Sequence, residues 1–135
     1  MTPRRVVITG MGTINPLGHS VEDTWSALLA GRSGISETEL FDASTFPSTF
    51  SAQVKDFDLA EHVPAAENHA HAGRHCRFAL AAARQAWGQA GLGDHGELDP
   101  ARTGIYLGGG EGSLDFDNFT SVLVDSWSDG RVDTN

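Results

Sequence analysis

Only one cysteine, Cys76, stands among the 135 residues, so no disulfide can form within the chain. A lone thiol suits a reducing interior, and the cytoplasm is the expected location. Long apolar runs are also missing, and none approaches the ~20 residues of a membrane-spanning helix. Near the N-terminus the apolar run is only Val6, Val7 and Ile8, too short for a signal-peptide core. Basic residues are scarce: 9 against 18 acidic ones give a net charge of −9. That balance argues against nucleic acid and anionic membrane surfaces as partners, both of which call for a basic face. Internal repeats and low-complexity linkers are absent too. What remains, 39% hydrophobic and 20% charged, is an ordinary globular composition of about one domain's length.

The chain is organised around residues 4–18, Arg-Arg-Val-Val-Ile-Thr-Gly-Met-Gly-Thr-Ile-Asn-Pro-Leu-Gly. The β-branched run Val6-Val7-Ile8 predicts a strand covered on both faces. Gly10, Gly12, Asn15, Pro16 and Gly18 then predict a tight, irregular loop. Ser20 follows as a helix cap, with Asp23 three residues on as a weaker form of the capping box. Val21, Trp25, Leu28 and Leu29 share one helical stripe, and Gly31 sits where a helix end prefers glycine. Strand, glycine loop, helix is the opening of an α/β domain.

Residues 32–50 are small and polar apart from Phe41, Phe46 and Phe50, and read as a long packed loop. Residues 50–55 suggest a short strand, and residues 58–69, with Pro64, at most a helical turn. The alanine-rich stretch 71–90 predicts a helix ending at Gly91 or Gly93. Cys76, Leu80, Ala83, Trp87 and Ala90 form one stripe of it; Phe78, Ala82 and Ala86 form a second, and the small residues between them would allow close packing against other helices. Residues 96–100 predict a turn, and Ile105 to Leu107 a second buried strand, ended by Gly108-Gly109-Gly110-Glu111-Gly112. A third helix is predicted from a Ser113 cap, with Asp115 and Asp117 in its first turn and Phe116, Phe119, Leu123 and Trp127 at helical spacing. So few strands cannot cover so many apolar helices, which implies an incomplete domain.

Several of these stretches resemble one family. Residues 6–18, then Thr24-Trp25, Leu28-Leu29-Ala30-Gly31 and Ser33-Gly34-Ile35, are similar to the N-terminus of β-ketoacyl-acyl-carrier-protein synthases. The similarity continues through Phe41-Asp42, Val54-Lys55-Asp56-Phe57, residues 78–83, Ala90-Gly91-Leu92 and residues 104–108, in the family's order. The elongating condensing enzymes of fatty-acid synthesis and their polyketide relatives match best. The resemblance implies the incomplete N-terminal part of a thiolase-like, layered αβαβα fold, with residues 1–135 as an N-terminal β-ketoacyl synthase domain that stops before the catalytic cysteine. The activity it implies is decarboxylative Claisen condensation, the partner an acyl carrier protein presenting phosphopantetheine-linked acyl groups, and the full-length assembly a homodimer. A non-catalytic partner resembling a chain-length factor, or a free-standing carrier-binding module, is the alternative.

Cys76 invites assignment as the acyl-accepting thiolate that such chemistry needs. Its mid-helix context predicts a buried packing residue instead, and no catalytic residue is expected in the chain. The family's nucleophile lies at a strand-to-helix turn in a small-residue motif that does not occur here. Gly110, Glu111 and Gly112 are expected to form part of the acyl-pocket wall. An aliphatic residue is common in the family where Glu111 stands, and a carboxylate beside an alkyl chain is costly unless it is hydrogen-bonded or turned away. Glu111 as a mere brace of the loop is the plain alternative. Arg74 and Arg131 are the cations that match the family's two carrier-docking clusters; exposed arginines without a partner are the alternative. His71 and His75, spaced i, i+4, with Cys76 or His69, approach a zinc pattern. Without a visible third ligand and supporting shell, neither metal nor cofactor is expected.

Overall fold

The computed structural model describes residues 3, 5–93, 98–110, 120, 124–128 and 131–132. Helix α1 spans Val21–Leu29 and begins as its sequence dictates: Ser20 Oγ accepts from the Asp23 N–H at 3.0 Å, and the hydroxyl donates to Asp23 Oδ2 at 2.7 Å. It ends on Gly31 at φ +63°, where Gly31 N–H donates to Leu28 O and Arg32 N–H to Ala27 O. That pair of bonds satisfies carbonyls the helix leaves orphaned. The long helix α2, Arg74–Gln89, ends the same way on Gly91, φ +68°, with bonds from Gly91 to Gly88 and from Leu92 to Trp87.

Between the helices lies an antiparallel pair, β1 (Ile35–Glu37) and β2 (Phe50–Ala52), in the register Ile35 opposite Ala52. The packed loop expected over residues 32–50 therefore holds a strand: Thr38 N–H to Thr49 O and Thr38 Oγ1 to Ser51 Oγ extend the pairing where the side chains are too polar to signal it. Its tip is tied locally. Hydrogen bonds from Ser44, the side chain's first, hold the Asp42 carboxyl below its ordinary 3.8. Residues 58–69 form two 3-10 turns, Leu59–Glu61 and Ala66–His69, where at most one helical turn was expected. A third, Pro100–Arg102, follows α2.

The irregular loop packs against α2 through the second of its two predicted stripes. A Cβ on Gly12 would collide with the Ala82 carbonyl, and one on Gly10 with that of Ala86, besides lying 2.9 Å from Ala90 N. Only glycine lets the loop backbone approach the helix this closely. Two glutamines one turn apart complete the attachment: Gln89 Oε1 accepts from Met11 N–H at 2.6 Å and Gln85 Oε1 from Thr13 N–H at 3.2 Å. Gln85 Nε2 also donates to His19 O at 2.6 Å, so one side chain closes the loop at both ends. Asn15 ties the interior, donating to Thr13 and Thr24 hydroxyls while accepting from Leu17 N–H.

Beside this junction lies a ring cluster. Phe57 meets Phe78 edge-on at 4.9 Å and stacks on His62 at 5.3 Å, with His19 at 5.7 Å. The buried core is small: Ala27, Ala43, Val54, Leu59 and Ala81 among the described residues, with no large side chain fully enclosed. The accessible surface is 11330 Å². A compact monomer of this mass exposes about 6,800 Å².

Four expectations need correction. Val6 to Ile8 and Ile105 to Leu107 are not strands, and both runs lie open, with Val6 94% and Ile105 92% exposed. A strand exists only when neighbouring backbone takes up its N–H and C=O groups, and no described residue pairs with these. Cys76, expected in the apolar interior, is exposed with its Sγ 3.2 Å from His75 Nε2. The same stripe leaves Ala83 and Trp87 exposed because α2 is packed on its Phe78–Ala82–Ala86 side alone. Trp127, expected on a helix, pairs in a second antiparallel ribbon, β3 (Trp127–Ser128) with β4 (Arg131–Val132). Helical spacing does not hold Trp127 in a helix, because its backbone finds a partner strand at Val132. Residues 120 and 124–126 are helical, whereas Ser113, Asp115, Phe116, Asp117, Phe119 and Leu123 lie outside the described residues.

Candidate functional site

Arg74 is the predicted docking residue that the structure places in a defined setting. It is the first residue of α2, preceded by Gly73 as N-cap. Its guanidinium lies 5.4 Å from the Phe78 ring centroid and donates to Val54 O, which fixes the side chain from two sides. A groove of about 440 Å³ opens there, lined by Arg74, Lys55, Gln53, Glu39, Asp56 and Asp58 among others.

Lys55 is the second cation of that groove and was not legible as one. Its signal lay in the Val54-Lys55-Asp56-Phe57 stretch, but only the β1–β2 pairing brings it to Arg74's groove. Lys55 Nζ meets Glu39 Oε1 at 2.6 Å, and Glu39 N–H donates to Gln53 Oε1 at 3.0 Å. Two cations thus share the groove with three carboxylates, Glu39, Asp56 and Asp58. The Glu39 carboxylate already answers the Lys55 charge, whereas Arg74 is held by Val54 O and the Phe78 ring.

Of the other predicted site residues, Gly110 and Arg131 are not among those lining this groove. Gly110 ends the open segment 104–110, with nothing within 4 Å of a Cβ built on it. Glu111 and Gly112 lie outside the described residues. Arg131 is exposed on β4 and does not line the groove. Cys76 lies beside His75 but lines none of the three grooves described for the molecule. Among the described residues, no three His, Cys, Asp or Glu side chains converge as a metal site.

Two further grooves flank the loop. One, about 320 Å³, runs from Asn15 and Gly18 past His19 to Lys55 and is mostly polar. The other, about 530 Å³, lies between the Met11–Thr13 stretch and the Val21–Trp25–Leu28 stripe of α1 and is mostly apolar, with Thr13, Glu22, Thr24 and Gln89 as its polar members. Among the described residues, His62 Nε2 is buried in the ring cluster with no hydrogen-bond partner.

The model of the family described as "Beta-ketoacyl synthase, N-terminal domain" matches residues 3–133. The chain belongs to that family. It is 44% identical over 126 residues to 3-oxoacyl-[acyl-carrier-protein] synthase 2 of Coxiella burnetii, an overlap covering 92% of this chain and 30% of that protein. It is 38% identical over 113 residues to granaticin polyketide putative beta-ketoacyl synthase 2 of Streptomyces violaceoruber, covering 84% of this chain and 27% of that one. Among solved structures it is similar to the ishigamide ketosynthase/chain length factor, with a TM-score of 0.58 and 39% identity over 67% of this chain and 22% of that one. The fold neighbour is thus itself a ketosynthase-type protein, consistent with a partial α/β unit of thiolase-like architecture. The chain spans 30% of the length of the Coxiella relative. No described helix is long and apolar enough to cross a membrane.

Proposed function

We propose that this chain is the N-terminal portion of a cytoplasmic 3-oxoacyl-acyl-carrier-protein synthase. The reaction is decarboxylative Claisen condensation in fatty-acid or polyketide synthesis. An acyl group passes from its carrier to a cysteine thiolate, releasing the carrier's thiol; malonyl-carrier loses carbon dioxide, and the resulting carbanion attacks the thioester carbon and expels the cysteine thiolate. The observation that carries this reading is the 44% identity over nine-tenths of the chain to a protein of that name. In the whole enzyme these residues contribute sheet strands, the covering helices α1 and α2, and the acyl-pocket wall at Gly110, Glu111 and Gly112. Arg74, with Arg131 and now Lys55, receives the acidic carrier. The working assembly is a homodimer. Residues 1–135 alone are inactive, because the nucleophile and the groups that stabilise the carbanion are not among them.

A chimera tests the reading: residues 1–130 replace the matching segment of the Coxiella synthase, and the purified protein is assayed for 3-oxoacyl product from acyl- and malonyl-carrier. Product formation is expected. A folded chimera that makes none would sink the proposal. The second reading, a non-catalytic partner resembling a chain-length factor, is favoured by the ishigamide neighbour, whose name includes such a subunit. In that case the chimera stays silent as a homodimer but supports condensation when paired with an intact ketosynthase.

A further inference from the structure

The polar groove of about 320 Å³ has walls whose hydrogen-bond acceptors are taken while several donors are not. On one side the turn at residues 15–18 closes on itself, Asn15 N–H to Gly18 O and Gly18 N–H to Asn15 O, both at 3.1 Å. Asn15 Oδ1 accepts from Leu17 N–H, and His19 O from Gln85 Nε2. On the other side Gly34 lies against this turn, since a Cβ built on it would stand 2.9 Å from Pro16 Cβ. Ser33 Oγ accepts from Ile35 N–H, and its hydroxyl proton has no acceptor among the described residues. Gln53 lines the groove as well and is only 8% exposed. Its Oε1 accepts from Glu39 N–H, which fixes the orientation of the amide, and its Nε2 donates to no described residue. That nitrogen is not sealed in, because His62 Nε2 is the one described side-chain atom both enclosed and unpartnered. A largely buried amide therefore offers unanswered N–H groups to accessible space.

This groove meets the Arg74 groove at Gln53 and Lys55, and the two differ in sign. Glu39, Asp56 and Asp58 line the Arg74 side, whereas no carboxylate lines the Asn15 side. A groove with a lysine and no acid is an exception in a chain with twice as many acidic as basic residues. We infer that it is a binding site for a small carboxylate, received by Gln53 Nε2, Lys55 Nζ and the Ser33 hydroxyl. An ionised carboxylate only accepts hydrogen bonds, which is what walls with unanswered donors call for. Lys55 meets Glu39 at 2.6 Å, but the two side chains are 39% and 63% exposed, so their pairing contributes little and yields to a second anion. One lysine and no arginine line the groove, which matches a single negative charge rather than the two of a phosphate. The site takes no part in the condensation proposed above and stands or falls apart from it.

The test is a proton–nitrogen NMR titration of the chain with sodium acetate, run against sodium chloride at equal ionic strength. Saturable shifts are expected at the Gln53 side-chain amide and at the Ser33 and Gly34 backbone amides, with a dissociation constant on the order of 10 mM. Two exposed residues supply the variants, so both keep the fold. Lys55→Gln removes the positive charge and is expected to weaken binding about fivefold. Glu39→Gln removes the competing carboxylate, keeps the backbone N–H that Gln53 Oε1 accepts from, and is expected to tighten binding about threefold. A lysine that merely braces the β1–β2 pair would give no tightening. The inference is overturned by acetate shifts that do not saturate or that chloride reproduces, and by shifts centred on Asp56 and Arg74 instead. It is equally overturned by an affinity unchanged in Glu39→Gln, or by inorganic phosphate binding more tightly than acetate at equal ionic strength.

Discussion

The glycine loop on α2 and the open segments at 5–9 and 104–110 are built from similar residues and end in opposite states. Gly10 and Gly12 are held between helix carbonyls, whereas Gly108, Gly109 and Gly110 have empty space around them. Val6 to Ile8 and Ile105 to Leu107 are better strand formers than Ile35–Glu37, yet only the latter is a strand. The difference is the partner. Gln85 and Gln89 supply acceptors to Met11 and Thr13, and β2 supplies the ladder to β1, but nothing described supplies one to the open runs. Strand propensity becomes structure only where backbone groups are answered.

The largest effect that separates the two regions is expected from Gly12→Val. Its branched side chain has no room above the Ala82 carbonyl, so the loop must leave α2, at a cost of about 3 kcal/mol. Thermal unfolding followed by circular dichroism reads it, and a melt unchanged from the parent would refute the close approach. Phe57→Ala removes the ring between Phe78 and His62, and should cost about 2 kcal/mol because the site is only half-buried. Gln85→Ala loses bonds at both ends of the loop and is expected to cost roughly 1 kcal/mol, with faster amide exchange at Thr13 as its signature. Ile105→Lys, in the open region, should shift stability by less than about 0.5 kcal/mol. A large loss there would mean that residues 104–107 are covered after all.

The smallest effect concerns titration. Asp42 has a depressed folded-state pKa, so its contribution to stability is complete above the ordinary value of 3.8 and fades as the pH falls through the lowered value. Ser44→Ala removes the larger of the two causes and should return the carboxyl toward 3.8 in an NMR titration.

Much of the local structure was legible because its causes are local. Ser20 and Asp23 start α1, and Gly31 and Gly91 close the two helices, each by rules that act within a few residues; the small stripe Ala82–Ala86 was expected to meet other helices and meets the glycine loop instead. Docking geometry was less legible. Arg74 was singled out as a cation, but that Val54 and Phe78 hold it, and that Lys55 and three carboxylates share its groove, depends on β1 pairing with β2. Cys76 shows the same limit from the other side: its helical stripe was apolar, but which stripe becomes the inside depends on what arrives to cover it.

By itself, then, the order of residues determined α1 and α2, the Ser20 cap, the Gly31 and Gly91 stops, and the kinship with β-ketoacyl synthases, since these rest on short-range sterics and on patterns of residue type. Tertiary structure alone decided which face of α2 is covered, where the grooves lie and which apolar runs become strands. Those outcomes require atoms from distant parts of a chain to meet, and no local preference specifies the meeting.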